Sequence, residues 1–393
     1  MILSKVLSRG PGVHCGAKYS AALIAGLILS VAAARAEVAS ADDTARVLAG
    51  LPPSAGSPLT PLTRDAAWQH HAKAFNLAFG EFDRRQGAKI HAWSHATLNA
   101  PQPTVLYMFS GPDFINAEAF FPSADTYVLS GLEPVGQIPD LTKLPRGGLG
   151  HSLNSIERAL SSVLSLSFFI TRNMKSQLRA GRVHGVLPIL YVFLARAGKT
   201  VQETTLVDLD EAGNMRPYDP AHKSGAPGVR IKFAGPDGPV RTLYYFTTNL
   251  ANDGVRKSGF LKFCATLGPA DSFLKSASYL PHSGGFSAVR DFLLEHSALV
   301  LQDDSGIPVA AFAPDKWTLM PFGHYVGPIG LFRGKQQSKL KALYRTGHAA
   351  PIDFGIGYRH HRQESNLLVA TRIAPKPAEA TKPADPSKPA ETR

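Results

Sequence analysis

Apolar residues along this chain follow two spacings, and the change from one to the other predicts its elements. In "RDAAWQHHAKAFNLAFGEF", Trp68, Phe75, Phe79 and Phe82 recur at intervals of seven, four and three, one face of a helix. The stretch "SLNSIERALSSVLSLSFFITRNMKSQLRAG" repeats that spacing through Ile156, Leu160, Val163, Ile170, Met174 and Leu178. Ser152 is placed to cap its start, and Gly181 lies beyond its end. "PTVLYMFSG" and "DTYVLSG" are β-branched and aromatic, bounded by Pro and Gly, and predict strands. "LPILYVFLA" and "VQETTLVDLD" are expected as two more. "VRIKFAGPDGPVRTLYYF" reads as a hairpin about residues 235–238.

Three short helices are expected next, in "VRKSGFLKFCATLG", "DSFLKSASYL" and "FSAVRDFLLEHS". A strand "ALVLQ", a strand around "KWTLMPFGHYV", a basic helix "KQQSKLKALYR" and a last strand in "NLLVATRIA" complete the series. Helices alternating with strand pairs, one of them antiparallel, predict an α/β fold with a mixed sheet covered by helices; α+β is the alternative. Residues 64–373 are expected to form one globular domain, with a subdomain split near 210–228 as an option.

The ends change the picture. Lys5, Arg9 and Lys18 precede the apolar run "AALIAGLILSVAAA" and an "ARA" site before Glu37, the pattern of a secretory signal peptide cleaved after Ala36. The run is shorter than the roughly 20 residues that span a bilayer, and no later stretch approaches that length, so the mature chain is expected to be periplasmic or secreted without a transmembrane segment. Residues 37–63 are rich in Pro and Ser and read as a linker. Residues 374–393 repeat Lys-Pro-Ala-like units with no apolar face and read as a disordered tail. Removing the signal peptide leaves Cys264 as the single cysteine, in an apolar context where a thiol packs as a small hydrophobe.

The formal charge of +12 is uneven. Four positive charges belong to the signal peptide. The stretch from Phe332 to Arg372 holds Arg333, Lys335, Lys339, Lys341, Arg345, Arg359, Arg362 and Arg372 against Asp353 and Glu364, a net of +6. In an exported protein such a stretch suits an anionic envelope component. Nucleic acid is not expected, because no binding motif accompanies the charge.

Candidate chemistry sits where predicted strands stop. "LYMFSGPDF" ends in Ser110 and Asp113, "YVLSGLEP" in Ser130 and Glu133, "LYYFTTNLAND" in Asn249, Asn252 and Asp253, and "LVLQDDSG" in Asp303 and Asp304. In open α/β sheets ligands bind outside the carboxyl ends of strands. Were these strands parallel, Asp113, Glu133, Asp253 and Asp303 or Asp304 share one cleft, able to hold a divalent cation or to divide into a general acid and base. Turns use the same residues for local hydrogen bonds. Adjacent carboxylates repel, so Asp→Asn at 303 or 304 is expected to leave the ligand-free protein at least as stable. His282, in a glycine-flanked loop, is a further candidate base. There is no Gly-x-Ser-x-Gly, and "RGGLGHS" is not a phosphate loop. His70-His71 and His360-His361 lack the spacing of helical zinc ligands.

The blocks "YMFSGPDFINAEAFFPSADTYVLSGLEPVG", "FLKSASYL" and "LVLQDDSGIP" resemble segments of exported bacterial proteins of no assigned activity, over most of Val105 to Phe332. That resemblance implies a bacterial envelope setting and carries over no catalytic residue. Two functions are expected from these features. One is an exported protein that binds an envelope ligand or partner. The alternative is a hydrolase of a saccharide, ester or phosphate that uses the carboxylate loops, with a divalent cation as an option.

Overall fold

A computed structural model describes residues 39–374 except 145, 146, 167–184, 222–224, 237, 347 and 362–364. The expected signal peptide, the tail beyond Ala374, and Ile170, Met174, Leu178 and Gly181 of the second long helix therefore lie outside the described residues. The described residues form one compact unit.

Its centre is a ten-stranded sheet. The strands are β1 (Thr104–Tyr107), β2 (Thr126–Gly131), β3 (Thr200–Leu209), β4 (Met215–Pro217), β5 (Ala226–Ala234), β6 (Val240–Thr247), β7 (Ala270–Leu274), β8 (Ser297–Gln302), β9 (Trp317–Phe322) and β10 (Leu367–Arg372). They lie in the order β4-β3-β5-β6-β2-β1-β7-β8-β10-β9. Strands β6, β2, β1, β7 and β8 are parallel, while β3, β4 and β5 at one side and β10 at the other pair antiparallel. The fold is α/β with a mixed sheet. Its parallel strands are buried on both faces, as crossover helices require: Val105 and Tyr107 belong to one core, Leu106 and Met108 to the other.

The first core packs beneath α1 (Ala41–Leu48), α2 (Ala66–Phe82), α3 (Ala88–Thr97), α4 (Phe114–Phe120), α5 (Gly148–Leu166) and α6 (Leu187–Arg196). The second packs beneath α7 (Phe260–Thr266) and α8 (Ser287–His296). The basic helix is α9 (Ser338–Thr346), seated by buried Leu340. Among the described residues no helix is long and apolar enough to cross a membrane.

Several expectations are corrected. The presumed linker 37–63 contributes α1, which Ser40 caps by accepting from the Asp43 amide at 3.0 Å. Ala45, Val47 and Leu48 of α1 are fully buried. The Trp68 indole and His71 imidazole of α2 reach the Val47 and Leu48 carbonyls at 3.0 and 2.8 Å, and His71 also meets Glu157 of α5 at 2.7 Å, so this histidine is a structural bridge. "LPILYVFLA" is helix α6, buried on every side. "DSFLKSASYL" contains strand β7, in the middle of the sheet. Ser152 lies inside α5, its hydroxyl bonded to the Gly148 carbonyl. A split near 210–228 falls among β3, β4 and β5, which are hydrogen-bonded within the one sheet.

Candidate functional site

The chain runs from β1 outward through β2 to β6, then returns to the other side of β1 for β7 and β8. Crossovers therefore leave the sheet in opposite directions on either side of β1, which opens a crevice at the carboxyl edge. A cavity of about 560 Å³ occupies that place, built from the segments following β1, β2, β6 and β7. Phe109, Leu132, Leu250, Phe286, Leu331 and Phe332 are among its apolar walls, and Asp113, Glu133, Thr248, Lys275 and Ser276 supply polar groups.

Asp113 is 2% exposed, and every donor around it is accounted for. Its Oδ2 accepts from Tyr107 Oη at 2.7 Å and lies 2.8 Å from Lys275 Nζ, while its Oδ1 accepts from Asn116 Nδ2 at 2.8 Å. Lys275, itself 2% exposed, projects from the end of β7. Burying both ions without mutual pairing is prohibitive, so each holds the other in place. Burial and the neighbouring Asp113 charge raise the Tyr107 phenol well above its ordinary pKa, so it remains a hydrogen-bond donor.

Glu133 differs. It follows β2, is 1% exposed, and its carboxylate accepts from Tyr245 Oη at 3.3 Å; no other described residue donates to it. Its backbone carbonyl takes the firmer bonds, from Tyr245 Oη at 3.0 Å and Thr247 Oγ1 at 2.7 Å. Gly131 makes this fold-back feasible, since a Cβ there meets Glu133 Oε2 at 2.4 Å and the Gly111 backbone at 3.0 Å.

The loops at this edge are strained. Phe109 after β1 has φ +63°, and Ser276, Ser278 and Tyr279 after β7 have φ +53°, +54° and +55°. Non-glycine residues persist there only where surrounding bonds over-determine them. The Ser276 amide donates to Asp303 Oδ2 at 2.9 Å, the Ala277 amide to Ser305 Oγ at 2.7 Å, and the Ser276 carbonyl accepts from Tyr358 Oη at 3.0 Å. A serine on a tight turn after a central strand has the outline of a nucleophile elbow, but its own amide and that of the following Ala277 are already bonded. The buried hydroxyls of Ser276 and Thr248, both on the cavity wall, have no hydrogen-bond partner among the described residues.

The expected convergence of carboxylates is thus half realised. Asp113 and Glu133 share the cavity. Asp303 and Asp304 stand at the same sheet edge but behind its wall. Asp303 accepts from Ser276 N, and its Oδ1 from Ser305 N at 2.9 Å and Ser305 Oγ at 2.5 Å, against Gly357, where a Cβ lies 1.8 Å from its Oδ2. Asp304 accepts from Tyr279 Oη at 2.5 Å. Burial, joined at Asp303 by the Asp304 charge, raises the pKa of both. They brace turns, and no cavity large enough for a ligand opens beside them.

His282 is also displaced from the expected role. It packs against the Tyr279 ring at 5.2 Å, away from the cavity lining, and burial together with Lys335 lowers its pKa to about 4. Among the described residues no group of three His, Cys, Asp or Glu is placed to hold a metal ion, so the expected divalent cation has no ligand set there. Cys264 is buried in the second core, which pushes its thiol pKa far up, the inert state its context predicts.

Within the basic stretch, two arginines are structural. Arg359 donates to the Gly327 and Pro328 carbonyls at 3.1 and 2.8 Å, and Arg372 stacks over Trp317 at 4.7 Å. Arg333, Lys335, Lys339, Lys341 and Arg345 are exposed, and Arg362 lies outside the described residues. No pattern in the sequence marks Lys275, Thr248, Ser276 or Tyr358 as site residues. Compared with known proteins, this chain matches no family model, no curated protein and no solved structure.

Proposed function

We propose that the protein is an exported binding protein whose cavity takes a small uncharged ligand, with a hydroxyl-bearing head directed inward and an apolar body at the mouth. Glu133 carries this reading: a buried carboxylate on the cavity wall with one 3.3 Å donor has capacity for two ligand hydroxyls. Unpartnered Thr248 and Ser276 hydroxyls add further bonding positions. An anionic head is disfavoured, because the cation on this wall, Lys275, is already paired to Asp113 at 2.8 Å. The ligand chemistry is a polyol with an apolar substituent, as in a nucleoside or a glycolipid head. The nucleoside form is favoured by strand order, since an acidic residue after the second strand is where doubly wound folds hold ribose hydroxyls. Hydrolysis has less support, because the Ser276 and Ala277 amides, on the turn best shaped for a nucleophile, already donate to Asp303 and Ser305.

The test is a set of thermal melts with adenosine, an alkyl glucoside and AMP. A neutral polyol is expected to raise Tm, by an amount equivalent to about 2.7 kcal/mol at 100 times its Kd. AMP is expected to shift it less, and Glu133→Gln to abolish the shift. A shift as large with AMP, one that survives Glu133→Gln, or none with either neutral ligand overturns the reading. We also propose export with cleavage after Ala36, supported by the charged start and apolar run. Mass spectrometry of the protein from its host should find Glu37 first; an intact Met1 refutes it.

A further inference from the structure

The mouth of the cavity combines two properties that water disfavours and a charged membrane surface rewards. Leu331 is 81% exposed and Leu132 is 52% exposed, and both border the cavity. Leu331 belongs to the segment Gly330–Lys335, two short 3-10 turns meeting at a kink at Phe332, which also presents exposed Arg333 and Lys335. From 316 to 352 the sequence contains no Asp or Glu, while Lys316, Arg333, Lys335, Lys339, Lys341 and Arg345 supply six cations. None of the exposed cations at 333, 335, 339, 341 and 345 forms an ion pair among the described residues, although acidic partners are engaged elsewhere on the surface, as in Lys143 with Asp140 at 2.8 Å.

The segment is also firmly mounted. Arg359 bonds the carbonyls of Gly327 and Pro328 just before it, and Phe332 packs between the rings of Tyr279 and Tyr358 at 5.1 and 5.2 Å. An apolar tip held out into solvent on a rigid base costs free energy in the isolated protein. Unpaired cations in the same segment as an exposed leucine match the interfacial region of an anionic bilayer, where apolar side chains enter the headgroup boundary and each Lys or Arg gains from the surface potential.

We propose that the cavity mouth, through Leu331, Leu132, Arg333 and Lys335, docks on an anionic lipid bilayer. The protein then lies on the membrane without spanning it, its cavity opening toward the lipid surface. This inference needs only the exposure and charge of the mouth and stands whatever the cavity holds.

Vesicle co-sedimentation tests it, using the chain from Glu37 so that the apolar run before it cannot contribute. Binding is expected to phosphatidylcholine vesicles containing one-quarter phosphatidylglycerol, to weaken steeply at high salt, and to be absent with phosphatidylcholine alone. Arg333→Glu with Lys335→Glu is expected to lower the partition coefficient by at least about tenfold, and Leu331→Ser by several-fold. Lys316 supplies the control. It precedes β9, which is parallel to β8, and so lies at the edge of the sheet opposite the cavity. Arg333→Glu and Lys316→Glu change the net charge equally, yet only the first is expected to impair binding. All variants should melt with the parent, since none of these side chains is buried. Equal losses from both single variants, equal binding to both vesicle types, or no binding to either overturns the proposal.

Discussion

Two pairs of carboxylates stand at the same edge of the parallel strands of one mixed sheet and do different work. Asp303 and Asp304 were the more conspicuous in the sequence, yet they hold backbone turns, with Asp303 alone accepting from three donors. Asp113 and Glu133, separated by a whole crossover, meet in the cavity. Within that second pair the roles divide again, since Asp113 is saturated by Lys275, Tyr107 and Asn116 while Glu133 keeps unfilled capacity. Residue type and position along the edge do not distinguish the four. The number of donors the protein already supplies to each carboxylate does.

The largest expected effect comes from breaking the saturated member. Lys275→Met leaves Asp113 buried without its counter-ion and should cost about 3–5 kcal/mol in urea-induced unfolding. The double variant Lys275→Met, Asp113→Asn should recover part of that loss, and a double variant no more stable than Lys275→Met alone would show that charge burial is not the cause.

A smaller loss is expected at Asp303. Oδ1 faces Ser305 donors and Oδ2 faces the Ser276 amide, so an asparagine amide nitrogen on either side opposes a donor. Asp303→Asn should cost about 1–3 kcal/mol, reversing the expectation from charge repulsion. Asp304→Asn should cost less, because an amide oxygen can still accept from Tyr279. Equal melting of Asp303→Asn and parent would return the pair to simple turn chemistry.

The smallest effect concerns pH. Asp271 of β7 is buried and bonded at 2.8 Å to the Gln102 amide, and burial raises its pKa to about 6. The folded protein therefore keeps this proton to about pH 6, whereas the unfolded chain releases it near pH 4, as ordinary aspartate does. Its contribution to stability falls as pH rises through that window. Between pH 4.5 and 6.5, Asp271→Asn should lose less Tm than the parent, and parallel curves would assign the slope to other groups.

How far the sequence could be read follows from the same elements. Helices with one polar face, such as α2 and α8, and the hairpin β5–β6 were legible because their periodicity survives at the surface. Helix α6 was not, since a helix buried on all sides and a buried strand both appear as a continuous apolar run. Strand β7 failed for the opposite reason. It carries Asp271 and Ser272 in the middle of the sheet, satisfied by Gln102 N and by the Ser297 hydroxyl at 2.6 Å, so its apolar pattern is broken. That misreading hid Lys275 and Ser276, which β7 delivers to the cavity. The carboxyl-edge location was legible because it depends only on parallel strands stopping in polar loops; the sorting of the carboxylates depends on tertiary donors that no local pattern records.

Helix α1 constrains the order in which this chain can fold. It docks on α6 and on the start of β3, where Asp42 accepts from the Val201 amide at 2.9 Å, 159 positions along the sequence. A ribosome or a translocation pore delivers the amino end first. The apolar side of α1 must then wait, uncovered, until most of the first core has emerged, and the last step of assembly recruits one of the earliest segments made. Contacts of such long range slow folding.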